Sequence, residues 1–201
     1  MNNAINLKRL APGFIDQAFE SQRVFRKLLG AMSYPGRIEK ISGTLKTPHP
    51  LYVASGAICL TLLDYETPLW SDLDPDADAI AWIRFHTGCP IVEEPSNASF
   101  ALITTSSKMP SLNQFGLGTA ESPELSTTLI LQLNGFTCGK SLVLRGPGIK
   151  TPTGINLKGV ADKFFQERCT INQFPLGVDI IFTYQYNLSA IPRSIQTANR
   201  S

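Results

Sequence analysis

Histidine is nearly absent from this chain: His49 and His86 are the only two in 201 residues. That scarcity narrows the room for general-base chemistry and for nitrogen-ligated metals. His49 lies between Pro48 and Pro50, a rigid loop. His86-Thr87-Gly88-Cys89 has the spacing of half a zinc site, but the other cysteines are too dispersed to supply the second pair, so no metal is expected. The four cysteines, Cys59, Cys89, Cys138 and Cys169, contain no Cys-x-x-Cys pair. Residues 1–14 hold no apolar signal-peptide core, so the thiols read as reduced and mostly buried, and the sequons at Asn97 and Asn187 as chance matches. Long apolar runs are missing too; residues 54–63 are interrupted by Ser55, Gly56 and Thr61, well short of the roughly 18 needed to span a bilayer. A cytoplasmic location is predicted. Charge of one sign is also lacking: 18 basic and 16 acidic residues leave +2, which provides no strong field for nucleic acid or anionic lipid.

What is present is ordinary globular material, 43% apolar, in a length that favours one domain. Residues 14–32 read as a helix, with Phe25, Leu28, Leu29 and Met32 at i, i+3, i+4, i+7 on its apolar face. Tyr34-Pro35-Gly36 stops it, because a residue before proline avoids helical geometry. Residues 54–63, rich in small side chains, form a second helix candidate. Residues 76–85 form a third, with Asp76 and Asp78 suiting the positive end of the dipole, Ile80, Ile83 and Arg84 sharing a face, and Pro90 ending it. Residues 160–168 are a fourth.

Strands are predicted at 99–104, 127–133, 142–144, 178–183 and 188–191, each short, apolar and bounded by turn residues. Thr128, Ile130 and Gln132 alternate with Leu129, Leu131 and Leu133, as in a strand with one drier face. Asn134-Gly135 and Cys138-Gly139 read as hairpin connections. The mixture predicts a single α/β domain over residues 14–194, a mixed sheet flanked by helices. Residues 1–13 are an extension and residues 195–201 a loose tail.

Several stretches imitate known sites. Residues 135–141 end Gly-Lys-Ser like a phosphate loop, but hold three residues between the glycines instead of four. They also lead into Leu142-Val143-Leu144 rather than a helix, so a strand turn is the better reading. Gly146-Pro147-Gly148 is a tight strand exit whose proline lacks the N–H that a phosphate cradle would use. Asp72, Asp74, Asp76 and Asp78 alternate like a calcium loop, but Ala77 stands at the glycine position and Ile83 where a glutamate is required. They read as a solvated turn entering a helix. Neither a Gly-x-Ser-x-Gly elbow nor a nucleophile–base pair is present.

Arg84-Phe85-His86-Thr87-Gly88 is the best polar cluster. Two readings stay open: Arg84 and His86 oppose the negative end of a helix dipole, or Arg84 offers a fork to phosphate or carboxylate at an anion- or partner-binding corner.

Taken together, several blocks resemble the PhnH family, subunits of the bacterial carbon–phosphorus lyase system. They are residues 25–36, Leu62-Leu63-Asp64 with Thr67 and Trp70, residues 84–90, and Gly118-Thr119-Ala120-Glu121 with Pro123. Residues 174–179 and Ile191-Pro192-Arg193 complete the series. They keep family order over nearly the whole chain. Phe165, where tryptophan is usual, and Ser194, where threonine is common, are mild departures, and residues 150–157 match only loosely.

The resemblance implies a fold like the large domain of pyridoxal-phosphate-dependent, aminotransferase-type transferases, but without a working cofactor site. It implies a homodimer, and assembly with PhnG, PhnI and PhnJ into a core complex for phosphonate use as a phosphorus source. The complex displaces adenine from ATP by a phosphonate to give a ribose 1-phosphonate 5-triphosphate, and a partner with iron–sulfur radical chemistry later breaks the carbon–phosphorus bond. Dispersed cysteines exclude that radical role for this chain. Arg26, Arg84, His86 and Thr87 are the candidate ligand or interface residues, because they join a matched block to suitable polar chemistry. Two functions remain: a non-catalytic assembly subunit, or a small-molecule enzyme or binding subunit that uses Arg84 and His86 on an anionic phosphonate or nucleotide.

Overall fold

The computed structural model describes residues 11–199, so most of the expected N-terminal extension lies outside the described residues. The first described element is helix α1, Gln17–Ser33. Its start is fixed from both sides: the Asp16 carboxylate accepts from Phe19 N at 3.0 Å, and the Glu20 carboxylate accepts from Ile15 N at 2.9 Å. It ends where Pro35 predicts, with Tyr34 N donating to Gly30 O.

The buried face of α1 keeps half of the expected one: Leu28 is buried and Met32 packs against the core, but Phe25 and Leu29 do not. Val24, Leu28 and Ala31 face the core, whereas Phe25 is 44% exposed and Leu29 49%. The expected and observed sets share Leu28 and both obey helical spacing, the observed stripe being rotated toward Val24 and Ala31. Contact with the sheet and the next helix selects the stripe with the small Ala31, which permits close approach.

Helix α2, Val53–Leu62, is buried from Ala54 to Leu60. A Cβ on its Gly56 would come within 2.3 Å of the Thr47 side chain, so the small residues are there for close packing. Helix α3, Asp78–Thr87, buries Ile80 and Ile83 as expected but leaves Arg84 exposed. Gly88, in the left-handed conformation (φ 73°), ends it two residues before Pro90. Helix α4 is Asp162–Ile171.

Among the described residues, nine strands make two sheets. The larger runs β1 (Glu39–Lys40), β8 (Asn187–Ile191), β7 (Asp179–Tyr184), β4 (Thr128–Gln132), β3 (Phe100–Ile103) and β2 (Leu69–Ser71) in that spatial order. The four strands β2, β3, β4 and β7 are parallel, and β8 and β1 are antiparallel additions, so the sheet is mixed and the protein α/β. The smaller sheet is antiparallel, with β5 (Gly135–Arg145) between β6 (Thr153–Lys158) and β9 (Gln196–Asn199).

Three expectations fail here, for related reasons. Strand β4 has no wet face: Ile130 packs toward α1–α3, while Leu129 and Leu131 pack toward the small sheet and α4. A parallel strand covered on both sides reads as a continuous apolar run. Asn134-Gly135 is not a hairpin, because β4 and β5 belong to different sheets, and Cys138-Gly139 lies inside β5. Gly139 (φ 110°) sits where β5 loses register, and a Cβ there would come within 2.5 Å of Lys158 Cα. Finally, the segment expected to be a loose tail pairs through β9 with β5, from Leu142↔Asn199 to Arg145↔Gln196.

Candidate functional site

In an open α/β sheet, ligands gather at the carboxyl ends of the parallel strands. In this chain that edge is occupied by its own side chains. After β2, the Asp72 carboxylate accepts from Thr104 N at 2.8 Å and Thr105 N at 2.9 Å, and from the Thr104 hydroxyl. One of the calcium-like acids is thus spent bridging two strand ends.

At the end of β4, Gln132 Oε1 accepts from Tyr52 N at 2.7 Å and Ser55 Oγ at 2.8 Å, while its Nε2 donates to Pro50 O at 3.0 Å. Ser55 Oγ also lies 2.8 Å from Thr183 Oγ1 on β7. The entry to α2 is thereby hydrogen-bonded onto the sheet edge. Tyr52 meets Tyr184 edge to face, centroids 5.6 Å apart, and burial, then the neighbouring Tyr184, push the Tyr52 phenol up.

The expected site residues separate into different surroundings. His86 is half-buried in the last turn of α3, edge-on to Trp82 and Phe85 at 5.1 and 5.0 Å. Its Nε2 lies 3.1 Å from Ala11 O, which also accepts from Trp82 Nε1 at 2.7 Å. A carbonyl only accepts, so His86 Nε2 carries the proton. Thr87 donates from Oγ1 to Ile83 O at 2.8 Å and accepts from Cys89 N at 3.1 Å. His86 therefore ties Ala11 to the last turn of α3, and Thr87 closes that helix end.

Arg84 is exposed, with no ion pair among the described residues. Arg26 belongs to a different place, a groove of about 210 Å³ between α1 and the chain at β1. Among the described residues no cluster of three or more His, Cys, Asp or Glu could hold a metal ion. The phosphate-loop look-alike is part of strand β5.

Three polar anchors were missed by sequence reasoning. Arg193 uses its guanidinium on Asp179, with Nε at 3.1 Å and a terminal nitrogen at 2.5 Å from Oδ2. Its backbone N donates to Oδ1 at 2.7 Å. The remaining terminal nitrogen donates to Pro123 O. Arg168 is buried and donates to Ile195 O at 2.9 Å and Pro192 O at 2.8 Å, and burial pulls its guanidinium down to about 10. Glu39, almost fully buried, takes Lys27 at 2.7 Å and Arg37 at 2.8 Å. Arg193, Asp179 and Pro123 all stand in the resemblance blocks, so their recurrence was a usable signal; their meeting was not.

The family model described as "Bacterial phosphonate metabolism protein (PhnH)" matches residues 12–198. The chain belongs to the PhnH family. It is 38% identical over 184 residues to the alpha-D-ribose 1-methylphosphonate 5-triphosphate synthase subunit PhnH of Rhizobium meliloti (strain 1021), covering 90% of this chain and 92% of that protein. It is also 28% identical over 180 residues to a protein of Stutzerimonas stutzeri named as a C-P lyase subunit, HtxG, covering 89% of this chain and 86% of that one. Seen as a PhnH-family member, the chain devotes several of its block residues to internal anchoring. Asp179–Arg193–Pro123 joins the last three blocks, and Thr87 closes the helix end within another.

Proposed function

We propose that this protein is a subunit of a carbon–phosphorus lyase core complex. It supports formation of ribose 1-phosphonate 5-triphosphate from ATP and a phosphonate, mainly by assembly rather than by catalysis. The observation that carries this reading is the carboxyl edge of the parallel strands, where Asp72, Gln132, Ser55 and Thr183 hydrogen-bond to the chain itself. A place that would otherwise receive a ligand is given over to holding the fold together. The two named relatives, both described as subunits, agree with it.

The remaining features belong to the same reading. The protein works in the cytoplasm; no helix among the described residues is long and apolar enough to cross a membrane. It forms a homodimer, for which the exposed Phe19, Phe25 and Leu29 of α1 offer apolar surface, and it joins PhnG, PhnI and PhnJ. Its fold is akin to the large domain of aminotransferase-type enzymes, supported by the run of four parallel strands extended by antiparallel ones, and its role takes no cofactor. Light scattering at micromolar concentration tests the dimer, and a monomer would count against it.

One observation favours the second reading, an anion-binding subunit: the Arg84 guanidinium is exposed at the end of α3. The deciding experiment measures adenine release from ATP and methylphosphonate by reconstituted partners, with this chain, without it, and with an Arg84→Ala, His86→Ala variant that still assembles. Assembly predicts that omission abolishes turnover and that the variant restores it in full. Intact assembly with collapsed turnover would hand the lead to the binding reading.

A further inference from the structure

Residues 17–42 carry five cations, Arg23, Arg26, Lys27, Arg37 and Lys40, against two carboxylates, Glu20 and Glu39. Their local excess exceeds the +2 of the whole chain. Neither carboxylate reaches the groove cations in full. Glu20 accepts from Ile15 N at the start of α1, and Glu39 is shared between Lys27 and Arg37. Arg23, Arg26 and Lys40 have no carboxylate partner among the described residues.

These cations rim one feature, a groove of about 210 Å³ between α1 and Lys40-Ile41-Ser42, whose surface is mostly apolar and is bordered by Arg23, Arg26, Lys27 and Lys40. Helical spacing at i, i+3 and i+4 places the three α1 cations side by side. Arg23 is held in place: a terminal nitrogen donates to Ser42 O at 2.6 Å, and its guanidinium carbon lies 5.9 Å from the centre of the Phe19 ring. Like charges gathered in this way repel one another until an anion sits between them.

We infer that this groove binds a polyphosphate: inorganic di- or triphosphate, or the triphosphate end of a larger molecule. Arginine forks meet phosphate oxygens two at a time, and lysine adds point charge, so the mixed set suits a chain of phosphoryl groups. Size sets the limit. Pockets that enclose drug-sized ligands run from about 300 Å³ upward, so this groove takes the phosphates and leaves a sugar or base outside. The choice of triphosphate deepens the proposed function, since one named relative belongs to a 5-triphosphate synthase. Binding by the isolated chain does not depend on that reading.

The test is calorimetric titration of the full chain with sodium tripolyphosphate at low salt. Saturable binding at one site is expected, weakening as salt is raised. Arg26→Ala with Lys40→Ala should weaken it at least tenfold with an unchanged thermal midpoint, since neither side chain makes an ion pair within the fold. Should that pair fail to fold, the single charge reversal Arg26→Glu serves instead, with the same expected loss. Adenosine should not bind, and a glutamate-rich hexapeptide should bind at least tenfold more weakly than tripolyphosphate. Absence of saturable binding, or full binding by the folded variants, overturns the inference. So does tighter binding of the peptide, which would make the groove a docking surface for acidic protein. An adenine-release assay that proceeds without this chain would sink the assembly role and leave the phosphate titration standing.

Discussion

Two pairs of arginines behave in opposite ways. Arg168 and Arg193 are enclosed, and their guanidinium groups donate to Ile195, Pro192, Asp179 and Pro123. Arg26 and Arg84 stand on helix surfaces with no ion pair among the described residues. The enclosed pair organises the carboxyl-terminal third, where loops must be fastened to α4 and β7. The exposed pair contributes charge that remains available to something else. Residue type is the same in both cases; what differs is whether the fork's donors are already committed.

The largest break of this contrast is Arg168→Ala. It strands the Ile195 carbonyl, which is buried, and the Pro192 carbonyl, which is half-buried, each losing a charge-assisted bond of about 1.5–3 kcal/mol, so a loss of roughly 3–5 kcal/mol is expected in urea unfolding. A loss under about 1 kcal/mol would mean the anchor is dispensable. Asp179→Asn comes next. It removes the charge facing Arg193 in a largely but not fully enclosed pair, for an expected loss of about 2–3 kcal/mol by the same measurement.

Glu167 sharpens the contrast through pH. Its carboxylate accepts from Leu112 N at 3.0 Å and lies 3.3 Å from Lys163, and the backbone hydrogen bond above all holds it below the ordinary value of 4.5. A carboxyl depressed in the folded state contributes stability that is full above its unfolded value and lost as pH falls through the folded one. Wild type should therefore exceed Glu167→Gln in unfolding midpoint at pH 7, and the gap should shrink as pH falls below 4.5. A constant gap would assign the effect to packing.

The thiols repeat the division between committed and available groups. Cys59 and Cys89 are buried, and burial raises both thiols; Cys138 and Cys169 are exposed. Ellman's reagent on the folded chain should label Cys138 and Cys169 promptly and the other two only after denaturant. That also corrects the expectation that the thiols are mostly buried. The smallest effect is reserved for Arg84→Ala, whose unfolding free energy should stay within about 0.5 kcal/mol of wild type. A larger loss would reveal a structural partner for that side chain.

How much was legible varies by element. The C-terminal end of α1 could be read, because Pro35 acts on the backbone next to it; its expected start, residue 14, falls three residues before Gln17, because that expectation leaves out the Asp16 cap. Its buried face could be read only in part, since Leu28 fits both Val24-Leu28-Ala31 and the expected Phe25-Leu28-Leu29-Met32, which satisfy the same period. Strands β1 and β2, of two and three residues, are too short for any period to show. Strand β9 is the polar Gln196–Asn199, whose sole strand signal is its pairing with β5. At the candidate site, His86 and Thr87 were chosen for polarity at a helix end, and the structure shows that polarity committed to Ala11, Ile83 and Cys89. Arg193 stood in plain view, but its partners lie 14 and 70 residues away.

The sequence by itself determined the family, the α/β class, the four helices to within three residues at each end, and that residues 135–141 lead into a strand rather than a phosphate-loop helix. Each of these depends on composition or on residues close along the chain, where capping, turn geometry and ligand spacing act. Tertiary structure alone decided which stripe of α1 is inside, that β4 is covered on both faces and β9 joins a sheet, and which arginines remain free. Those outcomes turn on contacts between distant segments, and a side chain's chemistry is settled only when its hydrogen-bonding partners arrive.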